Sequence, residues 1–307
     1  MIIKAKAVVN KLINYRYYRS IEKLYAIELG KLETELKKRN DNNRKLAVVL
    51  HLYYHDSWQY IESKLKNIPE KFDLFVSITK ENKKLEQKIK EVYGGVNIIH
   101  TPNLGRDILP FLKIMSVIMQ FDNYKVVLKI HTKKSLHRDD GEDWNNEIMN
   151  ELIPGNKELI KENLQKLLNK NSSLTGPSRQ YINLAVNFEA NGKDLTKIMK
   201  HIFKSHKLIW HVLQKDRKKY GFFAGSMFWI NIEKLSTVFE KRNSKAKFFA
   251  KEKGQVDGTY AHAMERAFSL VPEIHKEQLL RIDEHKVTEL RDYSGDFPEW
   301  YSAQNSY

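Results

Sequence analysis

Four stretches of this sequence carry residue types that could do chemistry. His131-Thr132-Lys133-Lys134-Ser135 closes an apolar run at 126–130. Two lysines offer point charges to a phosphate, and a histidine can donate when suitably oriented. The other reading is a basic loop facing water. Asn103-Leu104-Gly105-Arg106-Asp107 follows a run at 96–99. Gly105 permits a tight turn, and Arg106 offers a fork to a phosphate or carboxylate. Asp107 either caps the helix that starts next or accepts bonds from ligand hydroxyls. After a run at 46–52 come Tyr53, Tyr54, His55 and Asp56. Gln255-Val256-Asp257-Gly258-Thr259 precedes a helix in which His262 and Arg266, four apart, share a face. Asp257 is either a cap or a general base for a hydroxyl.

The elements that position these groups follow from periodicity. Residues 46–52, 72–78, 96–99 and 126–130 are short, β-branched apolar runs, which suits buried parallel strands. Helical patterns lie between them at 57–65, with Ser57 as N-cap, at 82–92 and at 108–119. The predicted class is therefore α/β, a mostly parallel sheet with flanking helices. In such sheets ligands bind at the carboxyl ends of the strands, where the clusters would meet. Further on, 156–168 reads as a basic helix and 172–177 as a turn-rich loop. Residues 221–229 form an aromatic run between glycines. Phe223, Met227 and Trp229 are either a core strand or a platform for a sugar ring.

Composition narrows the partners. The chain has 307 residues, 53 Lys/Arg against 38 Asp/Glu, and no cysteine. Disulfides, zinc–thiolate centres and cysteine nucleophiles are excluded. The charge of +15 favours anionic partners. Residues 1–45 hold 12 Lys/Arg and 5 Asp/Glu. They read as a basic amphipathic helix, either packed on the main domain or lying through residues 4–24 on an anionic membrane surface. No apolar run reaches the ~18 residues of a transmembrane helix, and no secretory leader is read. No Gly-x-x-x-x-Gly-Lys-Ser/Thr loop and no Gly-x-Gly-x-x-Gly after a strand is present, which disfavours P-loop hydrolases and dinucleotide folds. No nucleic-acid-binding motif accompanies the charge, so nucleic acid is not read as a partner.

Six segments in order resemble one family: His51-Leu52-Tyr53-Tyr54, Phe72-Asp73-Leu74, Asn103-Leu104-Gly105-Arg106-Asp107, Lys129-Ile130-His131-Thr132-Lys133-Lys134-Ser135, Gly225-Ser226-Met227-Phe228-Trp229, and Asp257-Gly258-Thr259-Tyr260-Ala261-His262-Ala263-Met264-Glu265-Arg266. The chain resembles the rhamnan synthesis protein F (RgpF-like) family of bacterial polysaccharide glycosyltransferases over about residues 46–270. The resemblance implies transfer of a sugar, rhamnose being the name-giving case, from a nucleotide-sugar donor to a lipid-linked glycan acceptor. The setting it implies is cytoplasmic, peripheral at the inner membrane face. It divides the chain into a basic extension at 1–45, a transferase domain at 46–285 and a tail at 286–307.

The layout also looks like a GT-A glycosyltransferase, with a two-domain GT-B arrangement second. In the GT-A fold the strand that here ends in Lys129-Ile130-His131 ends in Asp-x-Asp. The metal-binding carboxylate pair is missing, so no metal ligand is assigned, and Mg²⁺ or Mn²⁺ dependence stays open. Asp139-Asp140-Gly141-Glu142-Asp143 reads as solvated. The resulting expectation places the donor on Asn103, Gly105, Arg106, Asp107, His131, Lys133, Lys134 and Asp56. The acceptor lies against Phe223, Met227, Trp229, His262 and Arg266. Asp257 takes the acceptor proton, giving inversion. A non-catalytic glycan- or lipid-binding module on a degenerate transferase fold is the alternative, with a basic nucleic-acid-binding protein behind it.

Overall fold

The computed structural model describes residues 2–39, 45–132, 141–168, 172–251, 253–255 and 257–290. The four predicted apolar runs form strands: β1 (Leu46–Leu52), β2 (Phe72–Ile78), β3 (Asn97–His100) and β4 (Val126–His131). β1 lies between β2 and β4, β3 flanks β2, and all three pairings are parallel. Between them run α2 (Trp58–Leu65), α3 (Lys83–Val92) and α4 (Ile108–Ile118). Asn82 caps α3, its side chain accepting from the Leu85 N–H at 3.1 Å. Ser57, expected to cap α2, makes no such bond and instead ends a short turn at His55–Ser57.

Beyond β4 come α5 (Gly141–Leu152), α6 (Lys157–Leu168), β5 (Ser172–Pro177), β6 (Tyr181–Asn183), α7 (Phe188–Phe203) and α8 (His206–Trp210). Then follow β7 (Gly221–Phe223), β8 (Phe228–Asn231), α9 (Tyr260–Ile274), β9 (Gln278–Ile282) and β10 (Val287–Glu289). Eight strands form one sheet in the order β10-β9-β5-β8-β4-β1-β2-β3. β8 runs antiparallel to both β4 and β5, and β10 antiparallel to β9. The sheet is otherwise parallel, and β6 and β7 form a separate ribbon.

Two expectations fail here for one reason. Residues 172–177, read as a loop, are β5, buried along its length between β8 and β9. A Cβ on Gly176 would lie 2.2 Å from the Phe223 ring, so only glycine admits that ring against the strand. Phe223 is thereby core, edge-on to Tyr181 at 4.9 Å between centroids. Met227 and Trp229 are likewise fully buried, and the Trp229 indole N–H donates to the Leu152 carbonyl at 2.9 Å. None of the three presents a face to an acceptor. The aromatic run is two core segments joined by a turn, and the expected acceptor wall is absent from it.

The sheet separates two cores. Leu46, Val48, Leu50, Val126, Leu128 and Ile130 face one, with side chains of α2, α3 and α6. The intervening Ala47, Val49 and Val127 face the other, with α4, α7 and α9. α1 (Ile2–Lys38) covers this second side through Ile21, Tyr25, Leu32 and Leu36. It is fastened at Glu22, which takes a 2.6 Å bond from Lys113, and at Arg39, which donates to Asp73 at 3.1 Å. Leu12, Ile13, Leu24 and Ile27 of the same helix point outward, each half exposed or more.

Candidate active site

Strand alternation puts His51, Lys129 and His131 on the α4/α9 side of the sheet, at the carboxyl ends of β1 and β4. Lys129 is 1% exposed in the middle of an apolar strand. A buried ammonium must be paired. Its Nζ contacts the Asp107 carboxylate and the Ser226 carbonyl, and donates to Ser226 Oγ at 2.9 Å. The rings of Phe111 and Phe228 flank it at 5.4 and 5.5 Å. Burial pushes the lysine's pKa down against the pull of Asp107. For Asp107, burial works to raise the pKa, but His131, Lys129 and His51 outweigh it and hold the carboxyl far below the ordinary range. Asp107 therefore does not cap α4 with its side chain.

His131 Nε2–H donates to the Gly225 carbonyl at 2.8 Å and lies 4.0 Å from Asp107. His51 shares a 2.8 Å bond with Ser77 Oγ, and burial holds its pKa down at about 4, so it is neutral. Thr132 Oγ1 accepts from the backbone N–H groups of Tyr53 and Tyr54 at 3.0 and 2.9 Å, tying the two strand ends together. The turn between β7 and β8 is held from the other side. The Gly225 N–H donates to Glu265 on α9 at 2.8 Å, and Ser226 takes a left-handed φ of 55°.

A second group adjoins the first. Gly105 and Arg106 both have positive φ, 73° and 56°, which turns the guanidinium toward α9. Arg106 donates to His262 Nε2 at 2.8 Å and to the Gln255 carbonyl. The other ring nitrogen, Nδ1, faces Thr259 Oγ1 at 2.8 Å and accepts from the Thr259 backbone N–H at 3.3 Å, closing a capping box at the start of α9. Burial, then the Arg106 charge, lowers His262 to about 4. Asp257 lies before α9, whose N-cap is Thr259. It pairs with Arg266 at 3.2 Å and accepts from the Gly258 N–H at 2.9 Å. Burial would raise its pKa, but Arg266, His262 and Asn191 outweigh this and lower it. Arg266 lies over the Phe222 ring at 4.4 Å.

Gly105→Ala tests how tightly this loop is set. An added Cβ would sit 2.6 Å from both Leu109 Cβ and Phe249 Cδ1. Overpacking costs about 1–3 kcal/mol, with the φ penalty in addition. The urea midpoint falls accordingly, and an unchanged midpoint would mean the loop is free to move.

Of the predicted residues, Gly105, Arg106, Asp107, His131, Asp257, His262 and Arg266 come together at one edge of the sheet. Asn103 and Asp56 are exposed, Asp56 in the turn after β1. Lys133 and Lys134 lie outside the described residues, as do Asp139 and Asp140. Lys129, Ser226 and Glu265 were not singled out. Lys129 carried a signal nonetheless, since a lysine inside a strand buried on both faces demands a partner. Among the described residues no group of three or more histidines and carboxylates is placed to hold a metal. Among them, too, no helix is long and apolar enough to cross a membrane.

Comparison with known proteins agrees with the ordered motifs. WxcX of Xanthomonas campestris pv. campestris, in strains B100 and ATCC 33913, is 32% identical over 173 residues, which is 55% of this chain and 22% of the relative. The chain thus spans about a fifth of these curated relatives, both described as uncharacterized. The family model for rhamnan synthesis protein F matches residues 6–276, taking in most of α1, which the motif resemblance had left outside. By that match the chain belongs to the rhamnan synthesis protein F family, whose role is in polysaccharide synthesis.

Proposed function

We propose that this chain transfers a sugar from a nucleotide-activated donor to a growing polysaccharide. The observation that carries the reading is the cluster at the carboxyl ends of β1 and β4. There Arg106, His131 and Lys129 meet Asp107 beside a second carboxylate, Asp257. Family membership supports a polysaccharide role. The GT-A assignment is supported by connectivity: the Asn103-Leu104-Gly105 loop feeds α4, and α4 feeds β4, whose end carries Lys129 and His131.

In this proposal Arg106 and His131, with Lys133 and Lys134, receive the donor diphosphate and stabilise the charge that develops as it leaves. The bond from the anomeric carbon to phosphate oxygen breaks, a bond to the acceptor oxygen forms on the opposite face, and the acceptor proton passes to Asp257. Donor hydroxyls lie against Asp107 or Asp56, with rhamnose the first sugar to try. Glu265 positions the Gly225–Ser226 turn. His262 and Arg266 remain on the acceptor side. The donor set suits a diphosphate better than a divalent cation, because the Lys129 ammonium already neutralises Asp107. The outward face of α1, with Leu24 and Ile27 beside exposed Arg16, Arg19 and Lys23, supports docking on anionic lipid at the inner membrane face, next to a lipid-linked acceptor.

The test is a panel of nucleotide sugars assayed for binding and transfer with EDTA and with added Mg²⁺ or Mn²⁺. One productive donor, active in EDTA, is expected. Strict metal dependence would overturn the lysine–histidine diphosphate site. Failure to bind any nucleotide sugar would favour a non-catalytic glycan- or lipid-binding module.

A further inference from the structure

A second concentration of positive charge lies away from this cluster. A pocket of about 490 Å³ is lined by Lys197, Lys200, His201, Lys204, His206 and Arg242. It stands at the far end of α7. That helix touches the candidate site through Asn191, whose side chain accepts from the Gly258 N–H at 3.2 Å. Lys200 and Lys204 lie nine and thirteen residues further on, about 14 and 20 Å along the axis at ~1.5 Å per residue.

The balance of charge in this pocket is uneven. Asp194 pairs with Lys197 at 2.7 Å, and Glu240 with His201 at 3.0 Å. Among the described residues no carboxylate pairs with Lys200, Lys204 or Arg242. Complementing the carbonyl end of α7 accounts for Lys200 and His201. It does not account for Arg242, which arrives from the segment after β8, or for His206 on the next helix. Lys204 closes α7 with φ 52°, a left-handed cap where glycine is the usual residue. The end of α7 and the segment after β8 thus bring three uncompensated cations to one concavity, with His206 of α8 beside them. On adjoining α8, Leu208 and Trp210 are 39% and 55% exposed.

We propose that this pocket binds a phosphate-bearing anion, with Lys200, Lys204 and Arg242 as its charge donors. Multiply charged oxygen anions fit three convergent cations, whereas a single carboxylate would leave two unmet. The phosphate comes either from a soluble diphosphate or from a lipid head group.

Because the candidate active site also attracts phosphate, the readout must be local. The full chain is acetylated under limiting reagent, and each lysine's rate is read by mass spectrometry. The probes are inorganic pyrophosphate, phosphatidylglycerol vesicles and phosphatidylcholine vesicles. Lys200 and Lys204 are expected to be protected about tenfold, the effect of roughly one charge-assisted bond, while exposed Lys84 and Lys88 on α3 are not. Protection by pyrophosphate assigns a soluble ligand. Protection by phosphatidylglycerol alone assigns a head group. In either case Arg242→Gln removes it, and this exposed position leaves folding intact. No selective protection in any arm, or protection that survives Arg242→Gln, overturns the proposal.

Discussion

Lys129→Met costs the protein about 3–5 kcal/mol and abolishes donor binding. The cost arises because Asp107 is left as a buried carboxylate with its ammonium gone. Asp107→Asn, which strands the lysine, is damaging for the same reason. The double variant Lys129→Met/Asp107→Leu recovers most of the stability, since two apolar groups leave no unpaired charge, but it stays inactive. Urea midpoints of the three variants, beside a nucleotide-sugar titration, separate the two effects. A Lys129→Met protein as stable as wild type would show that this ion pair does not organise the site. The pH dependence has a fixed sign. Asp107 is held below its unfolded value, so its contribution is present above the unfolded carboxylate pKa of ~3.9 and is lost only as pH falls toward the folded value. That loss begins where the unfolded carboxyl starts to take up protons, so the ion pair weakens progressively with acid below that point.

Asp257→Asn lowers transfer by about 10²–10⁴-fold with donor affinity nearly unchanged. Asparagine keeps an acceptor for the Gly258 N–H. Arg266 keeps the carbonyls of His262 and Val186 at 3.1 and 3.3 Å. What disappears is the group that takes the proton. The acidic limb of the pH–rate profile, which Asp257 sets at an unusually low position, goes with it. Arg266→Met is the companion variant. If Asp257 only holds Arg266, both substitutions lower activity alike and neither moves the profile. Transfer at the wild-type rate in Asp257→Asn would remove Asp257 from the base role.

Much of this arrangement was legible in the residues. The first four strands declared themselves because they are short and rich in Val, Ile and Leu, and the parallel class followed from the helices between them. The rule that ligands gather at strand carboxyl ends then drew Arg106, Asp107 and His131 together before any coordinate. β5 was illegible because Ser172-Ser173-Leu174-Thr175-Gly176-Pro177 has the composition of a turn. Its small residues serve packing, where Gly176 makes room for Phe223. The same pairing explains the misplaced acceptor wall, since aromatic density records burial as readily as recognition. The fastening of Glu265 to Gly225 depends on residues forty positions apart, and no local pattern announces it.

The order of strands in space has a kinetic consequence. β1 to β4 occupy positions 46–131 and pair among themselves, β1 with β2 and β4, and β2 with β3. β5 instead sits between β8 and β9, both later in the chain, and its Ser173 hydroxyl reaches the Gln278 carbonyl 105 positions on. Loop closure over such distances is slow. The first half can collapse during synthesis with Lys129 in place and Ser226 still to come, and the late strands then seal the cluster. Recovery of donor binding during refolding should lag behind the return of helical signal, because binding waits for the last contacts to form.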